Sequence, residues 1–173
     1  WSADVCSSDL ITRRKRDSEA LRRGEELYRL IAQNTTDAIW LFELASNSFT
    51  YMSPGCRGII GYSPEEMVGR SFEGLLSEES YRESMQSIAQ RIAAFEAGDA
   101  TALHKVAIYQ QRHKDGHLFS VEVVTTLLAD SGGKVRQLLG VTRDISAREQ
   151  AERDLRRSRD RLSRAEQIGR AHV

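Results

Sequence analysis

Hydrophobic and polar positions alternate most regularly in the stretch from His104 to Arg148. Between two turn signals, every second position is apolar or a threonine, which is the period of a half-buried β-strand. These positions are Phe119, Val121, Val123, Thr125 and Leu127. The turn signals are Lys114-Asp115-Gly116, where glycine accepts a positive φ, and Asp130 to Gly133. The pattern predicts three consecutive strands, and the last of them leads into a charged helix from Ser146.

Two shorter strands and several helices are predicted before this stretch. Asp37 to Leu44 is strongly apolar, and Ser48 to Met52 alternates, so each predicts a strand. Ser63-Pro64-Glu65-Glu66 has the serine, proline and glutamate of a capped helix start. Ser77 to Ala97 predicts a long helix with one largely apolar face. That face comprises Tyr81, Met85, Ile88, Ile92 and Phe95. Strands and helices in this order indicate an α+β fold.

Composition narrows the class of protein. The 173 residues include 25 Lys and Arg and 25 Asp and Glu, so no net charge attracts nucleic acid or an anionic membrane. No apolar run has the length of a membrane span, and no signal peptide is visible. Cys6 and Cys56 lie far apart, which fits a reducing compartment. We therefore expect a cytoplasmic domain that contacts neither nucleic acid nor a membrane.

Both flanks of the predicted sheet read as helices. Ile11 to Ala32 is an amphipathic helix with a basic, solvated first half. After Ser146, small or apolar residues recur at alternating spacings of four and three, the a/d seam of a short coiled coil. They are Ala151, Leu155, Ser158, Leu162 and Ala165. This seam predicts a homodimer through the flanking helices.

A shift of the chain on itself by 134 positions (145 − 11) aligns the start of the first helix with the start of the second. The first helix therefore resembles the exit helix of a preceding copy of the same module.

The two termini share one unusual relation. Asp4 to Leu10 can be encoded by a sequence whose reverse complement encodes Ile168-Gly169-Arg170-Ala171-His172-Val173. An inverted copy at both ends is foreign to a natural gene and resembles a sequencing adapter. We expect residues 1–10 and 168–173 to be artefacts of assembly around a genuine metagenomic fragment. A fresh sequence of the source locus that retained these codons would contradict this expectation.

Several short motifs in a fixed order carry a resemblance to a known family. Leu27 to Ile31 is followed by Asn34 to Asp37. Tyr51-Met52-Ser53-Pro54 precedes the run from Ile60 to Arg70. The last motifs are His113 to Gly116, Val121-Glu122 and Gly140 to Arg148. Together they resemble the PAS sensor domain with its C-terminal PAC segment. The resemblance places this domain at residues 26–148, with a linker helix at 11–25 and a coiled-coil linker at 149–167.

The resemblance implies a five-stranded antiparallel sheet with helices on one face and a pocket between them. By the same resemblance, a change in the pocket or the dimer interface leaves through the last strand. It reaches a coiled coil that drives an output domain. The expected output domain is a histidine kinase, and a diguanylate cyclase is the second choice. The alternative is a PAS domain without a ligand that holds dimers together and spaces its neighbours.

Two sets of site residues follow. Apolar residues expected to face inward are predicted to form a plain core, with a pocket lining as the alternative. They are Trp40, Phe42, Phe72, Met85, Ile92, Tyr109 and Phe119. The relay is expected at Asp144, Ile145, Ser146 and Arg148. Asp144 is placed to cap the exit helix and to pair with a nearby arginine, although a plain N-cap without a switching role fits the same residues.

Several cofactors and reactions are disfavoured because the sequence lacks the residues that they require. By the resemblance, the flavin-photosensor branch of the family needs a reactive cysteine just after Gly69-Arg70-Ser71, where Phe72 stands. The haem-binding branch needs a histidine on the long helix, which has none between Tyr81 and Ala97. His113 and His117 are not accompanied by a carboxylate or thiol cluster that completes a metal site.

Cys56 reads as a small half-buried residue rather than a redox thiol. No catalytic motif is present, so we expect a regulatory module and not an enzyme. The cofactor is left unassigned.

Overall fold

The structure is a computed structural model that describes residues 22, 23, 30 and 35–171, with side chains up to Arg161. Its centre is a five-stranded antiparallel sheet in the order β2-β1-β5-β4-β3. The strands are β1 Ala38–Glu43, β2 Ser48–Met52, β3 His104–Arg112, β4 Leu118–Ala129 and β5 Val135–Asp144. The predicted α+β fold is therefore confirmed.

Helices connect the second and third strands and follow the fifth. They are α1 Cys56–Ile60, α2 Pro64–Met67, α3 Glu78–Glu96, a 3-10 helix Ala100–Leu103, and α4 Ser146–Ala171. Among the described residues, no helix is long and apolar enough to cross a lipid bilayer. Most of the helix predicted over Ile11 to Ala32 lies outside the described residues.

Local sequence signals explain where these elements begin. The Ser63 hydroxyl accepts a hydrogen bond from the Glu66 amide, and the Glu66 carboxylate accepts one from the Ser63 amide at 2.8 Å. The predicted capping box is thus confirmed. Ser77 caps α3 in a similar way, because its hydroxyl accepts the Ser80 amide at 3.2 Å. Gly116 adopts a φ of +98° in the β3–β4 turn, which a residue with a Cβ rarely adopts.

The core lies between the inner face of the sheet and helices α1 to α3. The alternation predicted for β4 is confirmed, since Val121, Val123 and Leu127 are buried while Val124 is exposed. Cys56 is fully buried, so the expectation of a half-buried residue is wrong. Its position at the start of α1 packs it into the main hydrophobic cluster. Burial raises the pKa of the Cys56 thiol to about 11, so it stays protonated at neutral pH.

Strand β3 inverts the usual relation between polarity and burial. Val106 and Ile108 are each 59% exposed, whereas the alternate residues Tyr109 and Gln111 lie on the side of the helices. Gln111 is only 9% exposed. The edge strand therefore carries polar groups into the interior and leaves apolar ones on the outer face.

Trp40 and Gly140 meet at the middle of the sheet. They are direct partners in the β1–β5 register, and a Cβ built on Gly140 would lie 2.0 Å from Cζ2 of Trp40. The indole N–H of Trp40 donates to Thr142 Oγ1 at 3.0 Å, and this hydrogen bond holds the indole ring against β5. Only glycine leaves room for the indole to lie flat on β5.

We expect Gly140→Ala to lower the free energy of unfolding by at least about 2 kcal/mol, because the added methyl overlaps a ring held on both sides. Chemical denaturation would measure it. Gly58→Ala is the matched control, since nothing lies within 4 Å of a Cβ built there and the site is helical. That change should stabilise the fold by about 0.5–1 kcal/mol. Equal effects of both changes would contradict this account.

Candidate functional site

A small cavity lies between the inner face of the sheet and helix α3. Its volume is about 50 Å³. That is room for a few water molecules or a small organic molecule, and well below the roughly 300–1,000 Å³ of pockets that enclose drug-sized ligands. In this arrangement of side chains, neither a flavin nor a haem fits.

Aromatic rings form one wall of this cavity. The ring centroid of Trp40 lies 5.3 Å from that of Phe72 and 5.6 Å from that of Phe49, both edge to face. Phe42 packs behind them, with its centroid 4.3 Å from that of Phe72. Such contacts stabilise beyond the area they bury and hold the rings in fixed orientations. This end of the cavity is rigid and apolar.

Arg91 forms the opposite, polar end. It is 9% exposed, and its guanidinium donates to Thr125 Oγ1 at 2.6 Å and to the Ala102 and Leu103 carbonyls at 3.0 Å each. A further bond goes to the Thr125 carbonyl at 3.2 Å. All of these acceptors are uncharged, and among the described side chains no carboxylate pairs with Arg91. Desolvation lowers its pKa from the ordinary arginine value, although an arginine stays charged at any neutral pH.

Two further polar side chains face the same space from β3. Gln111 and Tyr109 both line the cavity. Within the described part of the chain, no hydrogen bond engages the Gln111 amide or the Tyr109 hydroxyl. Burial raises the pKa of the Tyr109 phenol, which therefore remains a neutral donor. These groups therefore keep hydrogen-bonding capacity that water or a ligand can use.

The seven residues expected to face inward divide between the cavity and the core. Trp40, Phe72, Met85 and Tyr109 line the cavity. Phe42, Ile92 and Phe119 pack into or against the hydrophobic cluster outside the lining. Sequence reasoning missed the polar part of the wall, namely Ser84, Ser87, Arg91, Gln111, Thr125 and Thr142. One signal was available for Arg91, which interrupts the apolar face of α3 between Ile88 and Phe95.

At the exit junction a single residue, Ile145, separates the end of β5 from the start of α4. Asp144 Oδ1 accepts the Ser146 amide at 2.8 Å, which satisfies one of the free N–H groups at the helix start. Ile145 is buried, and its amide donates to the Ser120 carbonyl at 3.3 Å. Arg148 is exposed and pairs with Glu152 on the same helix.

The arginine pair at this junction differs from the expected one. In the described residues, no arginine pairs with Asp144. Instead the preceding residue, Arg143, binds Asp37 through two nitrogens, with Nη2 to Oδ2 at 2.6 Å and Nε to Oδ1 at 3.1 Å. The reason is strand alternation, since residues 143 and 144 point to opposite faces. The pair joins the end of β5 to the residue before β1.

The β3–β4 turn supplies a carboxylate that the sequence analysis did not count. Asp115 Oδ1 lies 3.1 Å from His113 Nδ1 and 2.5 Å from His117 Nδ1. The statement that no carboxylate accompanies the two histidines is therefore wrong, because the tight turn folds Asp115 back between them.

Comparisons with known proteins agree with this architecture. A family model described as PAS fold matches residues 26–145. A curated relative, the methyl sulfide methyltransferase-associated sensor of Methanosarcina acetivorans, is 30% identical over 139 residues. The match covers 78% of this chain but 12% of that relative's length.

Solved structures show the same fold at lower identity. A sensory box histidine kinase/response regulator from Burkholderia thailandensis superposes with a TM-score of 0.57 at 20% identity, covering 79% of this chain and 98% of that one. The N-terminal domain of a diguanylate cyclase with PAS/PAC sensor from Marinobacter aquaeolei gives a TM-score of 0.53 at 22% identity, covering 65% and 98%. The family match, which spans more than half of the chain, and the sheet order lead to one conclusion: the chain belongs to the PAS family of sensory domains.

Proposed function

We propose that this domain senses a small anionic molecule in its cavity and relays binding through β5 to α4, which controls an output domain elsewhere in the parent protein. The observation that carries the proposal is Arg91, a buried cation at the polar end of the cavity. The output domain we favour is a histidine kinase, with a diguanylate cyclase second. We place the domain in the cytoplasm, and we assign it no catalytic step of its own.

Electrostatics favours an anion over a neutral ligand. A buried guanidinium loses hydration that uncharged carbonyl and hydroxyl acceptors replace only in part. Its Nη1 carries two N–H groups but makes one bond among the described residues, to Thr125 Oγ1. A carboxylate at this position would accept that spare N–H in a charge-assisted bond. The Gln111 amide and the Tyr109 hydroxyl offer further donors, and the aromatic wall suits a short apolar tail.

The route to the exit helix follows one strand. Thr142 lines the cavity, accepts the Trp40 indole N–H and stands two residues before Asp144. A ligand that displaces the indole would therefore act directly on β5. From there Asp144 and the Arg143–Asp37 pair fix how α4 leaves the sheet. Such a change biases two arrangements of the helix only if the ligand favours one of them.

A ligand-free dimerisation module is the second candidate, and a different observation favours it. Large apolar side chains are exposed on the outer face of the sheet and on α4. They are Val106, Ile108, Leu118, Val124 and Leu155. A second copy that covers this face and pairs through the helices would bury them. Such a homodimer could also sense a ligand. A purely scaffolding function, in contrast, does not explain why a charged Arg91 is buried at the cavity.

We expect propionate to bind the purified chain and raise its melting temperature, while the neutral isostere propionamide has little effect. Isothermal titration calorimetry would measure both. Gln111→Leu, which keeps the volume but removes the amide, should weaken propionate binding by at least about tenfold, since a hydrogen bond to a charged group contributes about 1.5–3 kcal/mol. Arg91→Gln should abolish the preference for propionate.

Arg82→Gln is the matched control, because Arg82 lies exposed on the same helix and pairs only with Glu78 among the described residues. It should leave propionate binding unchanged. Equal binding of propionate and propionamide would contradict an anion site. A chain that binds neither, yet forms a stable dimer, would support the scaffolding function instead.

We expect Asp144→Ala to loosen the start of α4, because the Ser146 amide loses its acceptor. Loss of a helix cap costs about 1 kcal/mol, so amides of residues 146–149 should exchange with solvent about fivefold faster. Asp154→Ala, further along α4, is the control and should leave those amides unchanged.

In the parent protein, Asp144→Ala should also reduce the dependence of output on ligand. Unaltered regulation in a variant with normal folding and faster amide exchange would show that the cap is structural and takes no part in the relay.

A further inference from the structure

We propose that the β3–β4 turn is a binding site for a divalent transition-metal ion, with Zn²⁺ or Co²⁺ as the fitting ions and His113, Asp115 and His117 as ligands. The site lies outside the cavity and does not depend on the sensory function proposed above. It stands on the placement of three donor groups by one tight turn.

The turn holds the two histidines face to face. The His113 amide donates to the His117 carbonyl at 2.9 Å, so the two residues close the hairpin. Gly116 takes a positive φ at the tip, and its amide donates to the His113 carbonyl at 2.9 Å. The imidazole rings stack with centroids 4.7 Å apart and planes 22° apart. Backbone hydrogen bonds therefore place the two histidines side by side across the turn before any ion arrives.

Asp115 lies between the rings and is itself fixed. Its Oδ1 accepts the His117 amide at 3.1 Å, which anchors the carboxylate inside the turn.

The donor atoms converge on one point. One ligand atom from each of the three residues lies within 4.8 Å of the others. In particular, His113 Nδ1 is 3.1 Å from Asp115 Oδ1 and accepts the Asp115 amide at 3.3 Å. A proton on His113 Nδ1, or a metal ion between the nitrogen and the carboxylate oxygen, would make this close approach favourable.

The distances suit a small ion with nitrogen and oxygen ligands. Bonds of about 2.0–2.1 Å in a tetrahedral site place neighbouring ligand atoms about 3.3 Å apart. The His113–Asp115 distance is already close to this value. His117 Nδ1 must move less than about 1 Å away from Oδ1, and its side chain is 56% exposed and free to rotate. Two imidazoles and one carboxylate favour Zn²⁺, Co²⁺, Ni²⁺ or Cu²⁺ over Mg²⁺ and Ca²⁺.

An ion here would act on the wall of the cavity. Lys114, between the ligands, donates its amide to the Ile60 carbonyl at 2.9 Å and its ammonium to Glu66 at 2.6 Å. Ile60 and Met67 line the cavity from that side. A metal that stiffens the turn would thus hold α1 and α2 against the sheet and raise the melting temperature of the whole domain.

The test uses the full chain, freed of metal by a chelator and titrated with Co²⁺ and then with Zn²⁺. We expect one ion per chain by calorimetry, a visible Co²⁺ spectrum of nitrogen and oxygen ligands, and displacement of Co²⁺ by Zn²⁺. His113→Asn, Asp115→Asn and His117→Asn should each weaken binding by at least about tenfold. His104→Asn, at the far end of β3, is the control and should bind normally.

Paramagnetic broadening by Co²⁺ in the unaltered chain provides a second readout that needs no variant. Amide signals of residues 112–118 should broaden first. No binding at micromolar Co²⁺ or Zn²⁺, broadening centred elsewhere, or equal affinity in His113→Asn and the unaltered chain would each overturn the proposal. Half an ion per chain would also overturn it, because it would indicate a site shared by two molecules.

Discussion

The close contact between Trp40 and Gly140 is the constraint on which the rest of the structure depends. β1 and β5 form the central pair of the sheet, and the indole lies flat on β5 only because Gly140 has no side chain there. The indole N–H is then bound to Thr142, which fixes the register and one wall of the cavity together. Because β5 continues into α4, the same contact joins the core to the exit helix. In the proposed relay, a ligand that touches Trp40 would act on the strand that ends at Asp144.

The polar half of the cavity differs from the closely packed contact between Trp40 and Gly140. Its side chains keep hydrogen-bonding groups that the protein itself does not use. Arg91 is bound by neutral acceptors, and Gln111 is buried without a side-chain partner among the described residues. A scaffold gains nothing from such groups, and an apolar residue of similar size would pack there at lower cost. Their presence supports the proposal of a binding cavity over an ordinary packing defect. The small volume suits a ligand of a few atoms.

Sequence periodicity predicted the elements of the fold because it reports burial directly. β4 shows this clearly, as does Ser63, whose cap depends only on residues three positions away. Periodicity does not predict burial where tertiary packing overrides polarity. On β3 the apolar Val106 and Ile108 face out and Gln111 faces in, an arrangement that no alternation rule predicts. Arg91 sits on an apolar helix face for the same reason. Asp115 was overlooked because only the folded turn places it between two histidines, and Arg143 pairs with Asp37 across 106 positions of sequence.

The central claim is that occupation of the cavity reaches the exit helix. Amide chemical shifts from two-dimensional NMR, recorded while propionate is added to the chain, test this most directly. The account predicts progressive shifts around Arg91, Thr125 and Thr142, and with the same midpoint at Ile145, Ser146 and Glu149. Shifts confined to the cavity, with residues 145–149 unchanged at saturation, would contradict it.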